Sequence, residues 1–145
     1  MPTRSARTAW TGSLQEGSGQ VELTSSGLAT FNVSFPKRVA DDAGGATSPE
    51  ELIAAAHASC FAMQLSALIG DAGATVQNLD VRADVSLGPD DPGFKLTAIA
   101  LTVRGEVEGL DAAAFAETAQ AAKESCPVSK ALTGVEITLD AALET

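Results

Sequence analysis

Tyrosine is absent from this chain, tryptophan and histidine occur once each, and cysteine occurs only twice. So few thiols and imidazoles, widely scattered, cannot supply the clustered ligands of a structural zinc site without carboxylates, and no metal is expected. Basic residues are also scarce, nine Lys and Arg against nineteen Asp and Glu, for a formal charge of −10. Phosphate backbones and anionic lipids are bound through a cationic surplus that this chain lacks, so nucleic acid is not an expected partner. No apolar stretch follows Arg4 and Arg7, which argues against a secretory signal or transit peptide and for a cytoplasmic product. The weakly polar run from Leu52 to Ile69 resembles a membrane span in length. It contains His57, Ser59, Gln64 and Ser66 and begins on two glutamates, which predicts a buried helix of a soluble protein instead.

What is present suffices for one core: 145 residues, 45% of them hydrophobic, predict a single domain over 1–145. Between Thr8 and Phe35 glycines punctuate short strands, with Phe31, Val33 and Phe35 alternating on a half-buried face. The acidic, glycine-rich stretch Asp41 to Ala46 has no periodicity and predicts a mobile loop. Ser48 as N-cap, Pro49 at the first helical position and Glu51 as the return arm of a capping box then start a helix. Alanine-rich sequence carries it to about Gly70, a rod roughly 30 Å long. Alternation from Leu79 to Leu87 and from Ile99 to Val103 predicts a hairpin around Gly88 to Gly93. Asp111 caps a second helix to about Ser125, a short helix covers Val128 to Leu132, and Val135 to Leu143 ends the chain as a strand. The class is therefore α+β, with antiparallel sheets packed around a long central helix and a second helix.

The chemistry this sequence offers lies in its cysteines. Cys60 falls mid-helix beside Phe61 and Met63, where burial raises a thiol pKa, so a reactive Cys60 needs a nearby cation. An arginine suits, because it stays charged and its planar fork can hold a carboxylate while offering N–H groups elsewhere. Cys126 precedes Pro127, which is poised to open a helix, and the N-cap position favours a thiolate there. Each site also admits an inert reading, a core cysteine at 60 and a small residue tolerated at a kink at 126. An intracellular chain with this pair permits a cycling disulfide.

The run Thr47-Ser48-Pro49-Glu50-Glu51-Leu52-Ile53-Ala54-Ala55-Ala56-His57-Ala58-Ser59-Cys60-Phe61-Ala62-Met63 resembles the helix signature of the OsmC/Ohr peroxidases. Cys126-Pro127-Val128-Ser129 resembles their second cysteine motif, and the likeness extends over nearly the whole chain, nearer the OsmC branch than Ohr. The family usually has asparagine where Ser48 stands, and serine caps a helix equally well. The resemblance implies an OsmC-like fold, an intertwined homodimer, a peroxidatic Cys60, a resolving Cys126, and an arginine paired with a glutamate. Glu50 matches the family's glutamate. Arg38 is assigned as the arginine, with Lys37 beside it competing for the position. His57 belongs to the signature with a structural role.

That resemblance implies a dithiol-dependent reduction of organic hydroperoxides, with hydrogen peroxide a weaker substrate, in oxidative stress defence. A lipoylated protein or another external dithiol would be the reductant, without a bound cofactor. Phe61, Met63, Phe31 and Phe35 are expected to furnish an apolar approach. Two other readings stand beside it: a thiol redox sensor, and a non-enzymatic binding module with both cysteines in the core. Glu50 and Cys60 stand ten positions apart on one helix, roughly 15 Å along its axis, so a site using both is expected to be shared between two chains.

Overall fold

The structure, a computed structural model, describes residues 1–144. Its elements in order are β1 (Arg7–Thr11), β2 (Ser18–Glu22), β3 (Thr30–Val33), α1 (Phe35–Val39), α2 (Pro49–Asp71), β4 (Thr75–Pro89), β5 (Phe94–Glu108), α3 (Ala112–Ser125), α4 (Pro127–Ala131) and β6 (Glu136–Leu143). They gather into two compact units, the first spanning Met1–Leu52 and the second beginning at Ile53. The α+β class read from the sequence holds.

In the first unit β1, β2 and β3 form an antiparallel meander. The expected alternation Phe31, Val33, Phe35 ends one residue early, because Phe35 opens α1 instead of continuing β3. Ser34 turns the chain there: its Oγ accepts from the Lys37 N–H at 3.3 Å, and Pro36 in the first turn lacks the N–H a strand would use. Residues 41–46 form turns and bends outside any helix or strand, as their lack of periodicity predicts. At the start of α2 the Ser48 Oγ accepts from the Glu51 N–H at 3.1 Å, which is half of the expected capping box. The return arm differs, since Glu51 Oε1 accepts from the Thr47 hydroxyl at 2.5 Å.

The second unit is built on the sheet β4-β5-β6. Its first pair is the expected hairpin, while β6 runs parallel to β5 and departs from the expectation of antiparallel sheets throughout. A parallel neighbour requires a crossover of a dozen or more residues, and α3 with α4 supplies it. Alternation then gives the sheet one apolar face, with rows Val85-Ile99-Ile137, Ala83-Leu101-Leu139 and Val81-Val103-Ala141. The other face is polar and carries the Arg104–Asp140 ion pair at 3.2 Å.

Two helices bury the apolar rows. His57, Phe61, Leu65 and Ile69 recur every four residues along α2 and have no exposure, and α3 contributes Phe115, Ala119 and Ala122. The apolar members of these stripes form one cluster with Ile99, Leu101, Val103 and Cys126. Gly105 on β5 makes room for the largest α3 side chain, because a Cβ there would come within 2.9 Å of Phe115 Cζ and 3.0 Å of Leu79 Cδ2. Gly105→Ala is therefore expected to destabilise the fold by about 1–3 kcal/mol in urea unfolding, and Phe115→Leu in the same chain should recover part of that loss. A wild-type midpoint for Gly105→Ala would contradict the packing described.

Candidate active site

The second unit brings the chain's two cysteines together. Cys60 projects from the middle of α2, Cys126 occupies the joint between α3 and α4, and the sulfurs stand 3.1 Å apart as free thiols. A disulfide is about 2.05 Å long, so bond formation needs an approach of about 1 Å. Two polar contacts fix the joint against α2. Gln64 Nε2 donates to Ser125 Oγ at 2.8 Å, and His57 Nε2 lies 2.8 Å from Ser129 Oγ. His57, Cys60 and Gln64 are spaced at i, i+3 and i+7, so one face of α2 carries all three. Pro127 occupies the first turn of α4 and leaves Cys126 as its N-cap.

Electrostatics divides the two thiols. Burial, then the contact with Cys126, pushes the Cys60 pKa up, against a smaller opposing effect of the Val128 N–H. Burial also opposes the Cys126 thiolate, but the N–H and hydroxyl of Ser129, the Cys60 thiol and the Val128 N–H together outweigh it and lower that pKa. The neutral Cys126 thiol makes no capping hydrogen bond, and α4 has only five residues, so these neighbours and not a long helix dipole favour the charge. Cys126 is wholly buried and Cys60 is partly accessible. Within the second unit, then, the more acidic sulfur is the hidden one. Burial also lowers the His57 pKa, and its Nδ1 is buried without a hydrogen-bond partner among the described residues.

The other two expected residues meet in the first unit. Arg38 on α1 donates from Nε to both carboxylate oxygens of Glu50, at 2.9 and 3.2 Å. Glu50 is 8% exposed, and about a third of the Arg38 side chain, 34%, reaches solvent. Both guanidinium Nη groups are left with no hydrogen-bond partner among the described residues. Lys37, the competing cation, lies over Gly44, which adopts a φ of +60° and has no side chain in its way. A cavity of about 260 Å³ beside Arg38 is lined by Trp10, Leu14, Val21, Phe35 and Leu52. Of the apolar residues expected at the approach only Phe35 lies there. Phe61 is core, while Met63 and Phe31 are 73% and 38% exposed. Trp10 and Leu14 escaped sequence reasoning because their short strand and turn carry no periodic signal. Among the described residues no three of His, Cys, Asp and Glu gather where a metal could bind.

A three-stranded meander, a long helix carrying one cysteine, and a second sheet whose helical crossover carries the other define a recognisable class, and sequence comparison identifies it. Residues 41–140 match the family model described as OsmC-like protein. The chain belongs to that family. It is 46% identical over 131 residues to the peroxiredoxin OsmC of Escherichia coli strain K12, covering 90% of each chain. It is 38% identical over 100 residues to the organic hydroperoxide resistance protein OhrA of Bacillus subtilis strain 168, covering 67% of this chain and 68% of that one. The crystal structure of OhrB from Bacillus subtilis superposes with a TM-score of 0.75 at 29% identity, over 94% of this chain and 97% of that one. An organic hydroperoxide resistance protein from Elizabethkingia anophelis gives 0.77 at 26% identity, over 99% of each.

The buried imidazole makes a pH prediction. His57 has a lower pKa folded than unfolded, so as pH falls below about 6.5 the unfolded chain takes up a proton that the folded chain refuses. This contribution to stability is present above the unfolded value and is lost as pH falls toward the folded one. Urea unfolding of the wild type should therefore weaken more steeply between pH 7 and pH 5 than that of His57→Gln, and parallel curves would show that His57 does not titrate on unfolding.

Proposed function

We propose that this chain is a dithiol-dependent peroxidase that reduces organic hydroperoxides, and hydrogen peroxide more weakly, to alcohols through a Cys60–Cys126 disulfide cycle. The observation that carries the reading is the 3.1 Å approach of its only two cysteines. Support comes from relatives named peroxiredoxin and organic hydroperoxide resistance protein. The Cys60 thiolate attacks the outer peroxide oxygen, the O–O bond breaks, the alkoxide leaves and takes up a proton, and Cys60 becomes a sulfenic acid. Cys126 attacks that sulfur as a thiolate, the S–O bond breaks, and hydroxide leaves to become water. An external dithiol, free or carried by a lipoylated protein, reduces the disulfide. We place this work in oxidative stress defence in the cytoplasm, on one domain.

Access decides the order of the cysteines. Cys126 is the more acidic, which taken alone would favour it as the peroxide-reactive group, but no hydroperoxide reaches a sulfur with no exposed surface. Cys60 is accessible and lacks acidity, so it needs a cation. Arg38 is the candidate: Glu50 fixes its guanidinium plane through Nε, leaving the Nη groups to favour the thiolate and the developing alkoxide. The cavity beside it offers an apolar wall for an organic substituent.

Ten helical positions separate Glu50 from Cys60, about 15 Å along the axis, and the simplest arrangement that unites them is a two-fold homodimer with the site shared between chains. An exposed surface on so apolar a helix, with Ala55, Ala56, Ser59 and Met63 uncovered, supports a partner there.

Two measurements test this reading. Cys60→Ser should abolish consumption of cumene hydroperoxide, whereas Cys126→Ser should permit one oxidation and then accumulate sulfenic or over-oxidised Cys60; equal turnover by both would remove the dithiol mechanism. Inactive Cys60→Ser and Arg38→Ala chains refolded as an equimolar mixture should regain turnover, because each heterodimer would hold one intact site. A mixture as inactive as its parents, despite demonstrated heterodimers, would place arginine and cysteine in the same chain.

A further inference from the structure

We infer that Ser129, oriented by His57, is a positioning pair for Cys126, holding its sulfur ready both to attack the oxidised Cys60 and to leave it again. This rests on the peroxidase reading above and adds two residues that the cycle as described does not use. Their placement is the warrant: His57 Nε2 is 2.8 Å from Ser129 Oγ, Ser129 is 6% exposed and His57 fully buried, and Cys126 stands three residues before Ser129 with its sulfur against Cys60.

Hydrogen-bond bookkeeping fixes the direction of the relay. A serine hydroxyl has one hydrogen and can accept two. Ser129 lies in the first turn of α4, whose N-cap is Cys126, and we assign its hydrogen to the Cys126 sulfur, where a hydroxyl favours the thiolate. It must then accept from His57, so the proton of the neutral imidazole sits on Nε2 and the lone pair on Nδ1. Nδ1 is buried with no partner among the described residues, and a bare lone pair there avoids the rarer defect of an orphaned N–H. The chain Nε2–H to Oγ–H to Sγ⁻ thus has one consistent polarity, each donor strengthening the next. Packing alone would be served by an apolar side chain with no nitrogen left unmet.

In the resolving step the Cys126 thiolate pair forms the S–S bond as the Cys60 S–O bond breaks and hydroxide departs. In the reductive step the buried Cys126 cannot be reached, so one thiolate of the external dithiol attacks Cys60. The S–S bond breaks toward Cys126, whose new negative charge meets the Ser129 hydroxyl. The second thiol of the reductant then displaces Cys60 as a thiolate and leaves the dithiol oxidised. Both steps depend on how well Cys126 carries charge, while the peroxide step does not involve its sulfur as nucleophile or leaving group.

The test separates these steps by rapid quench, alkylation and mass spectrometry, with cumene hydroperoxide as oxidant and dihydrolipoamide as reductant. Ser129→Ala and His57→Leu should slow disulfide formation and its reduction by about tenfold each, while the first oxidation of Cys60 stays within about twofold of wild type. Ser129→Thr, which keeps the hydroxyl, and His57→Gln, which keeps a donor near Nε2, should recover most of the loss. Ser129→Ala removes one oxygen and carries the test if His57→Leu fails to fold. Wild-type rates for both Cys126 steps in Ser129→Ala, or equal slowing of all three steps without rescue, would overturn the relay and leave the peroxidase reading intact. A wild type that forms no disulfide with the hydroperoxide would overturn both.

Discussion

The chemistry of this molecule depends on the burial of one helical stripe. His57, Phe61, Leu65 and Ile69 are all without exposed surface, and that face of α2 cannot rotate without moving large side chains out of a close-packed core. Cys60 sits one position before Phe61 and inherits its direction from that packing. Cys126 is itself part of the same apolar cluster. The 3.1 Å meeting of the sulfurs therefore follows from core packing, and the contacts of Gln64 and His57 with the α3–α4 joint set its register.

Burial has an electrostatic consequence. The environment that makes the pair rigid also disfavours charge on either sulfur, and only Cys126 receives enough local compensation within its own unit. Among the described residues, the one ion pair whose carboxylate is nearly buried lies in the other unit, where Glu50 holds Arg38 by Nε. Such a pair contributes modestly to stability because the arginine is partly screened by water. Its value lies in geometry, a cation fixed in plane with donors left over.

Local grammar made the two long helices legible in the sequence: Ser48, Pro49 and Asp111 mark their starts, and the structure begins α2 and α3 within a residue of those marks. The hairpin was legible for the same reason, alternation around a Gly and Pro turn. Two features were not. The parallel direction of β6 is set by the path of α3 and α4, and a strand's own residues do not encode its neighbour's direction. The turn at Ser34 competes with an alternation that reads as strand, and one capping serine with one proline decided it. At the site, the types Cys60, Cys126, Arg38 and Glu50 could be picked from motif and resemblance, but the preference of Glu50 for Arg38 over Lys37 depends on how α1 turns.

The histidine shows most clearly where sequence reasoning stops. The helix signature gives His57 a structural role, and by burial it is a core residue. Its chemistry depends on Ser129, 72 residues away, and on which hydrogen that hydroxyl spends on which neighbour. One nitrogen satisfied and one bare is a poor solution for packing and a workable one for a donor relay. The burial that keeps the imidazole neutral thereby gives it a fixed donor role, and the two cysteine motifs are joined by a hydrogen bond as well as by their sulfurs.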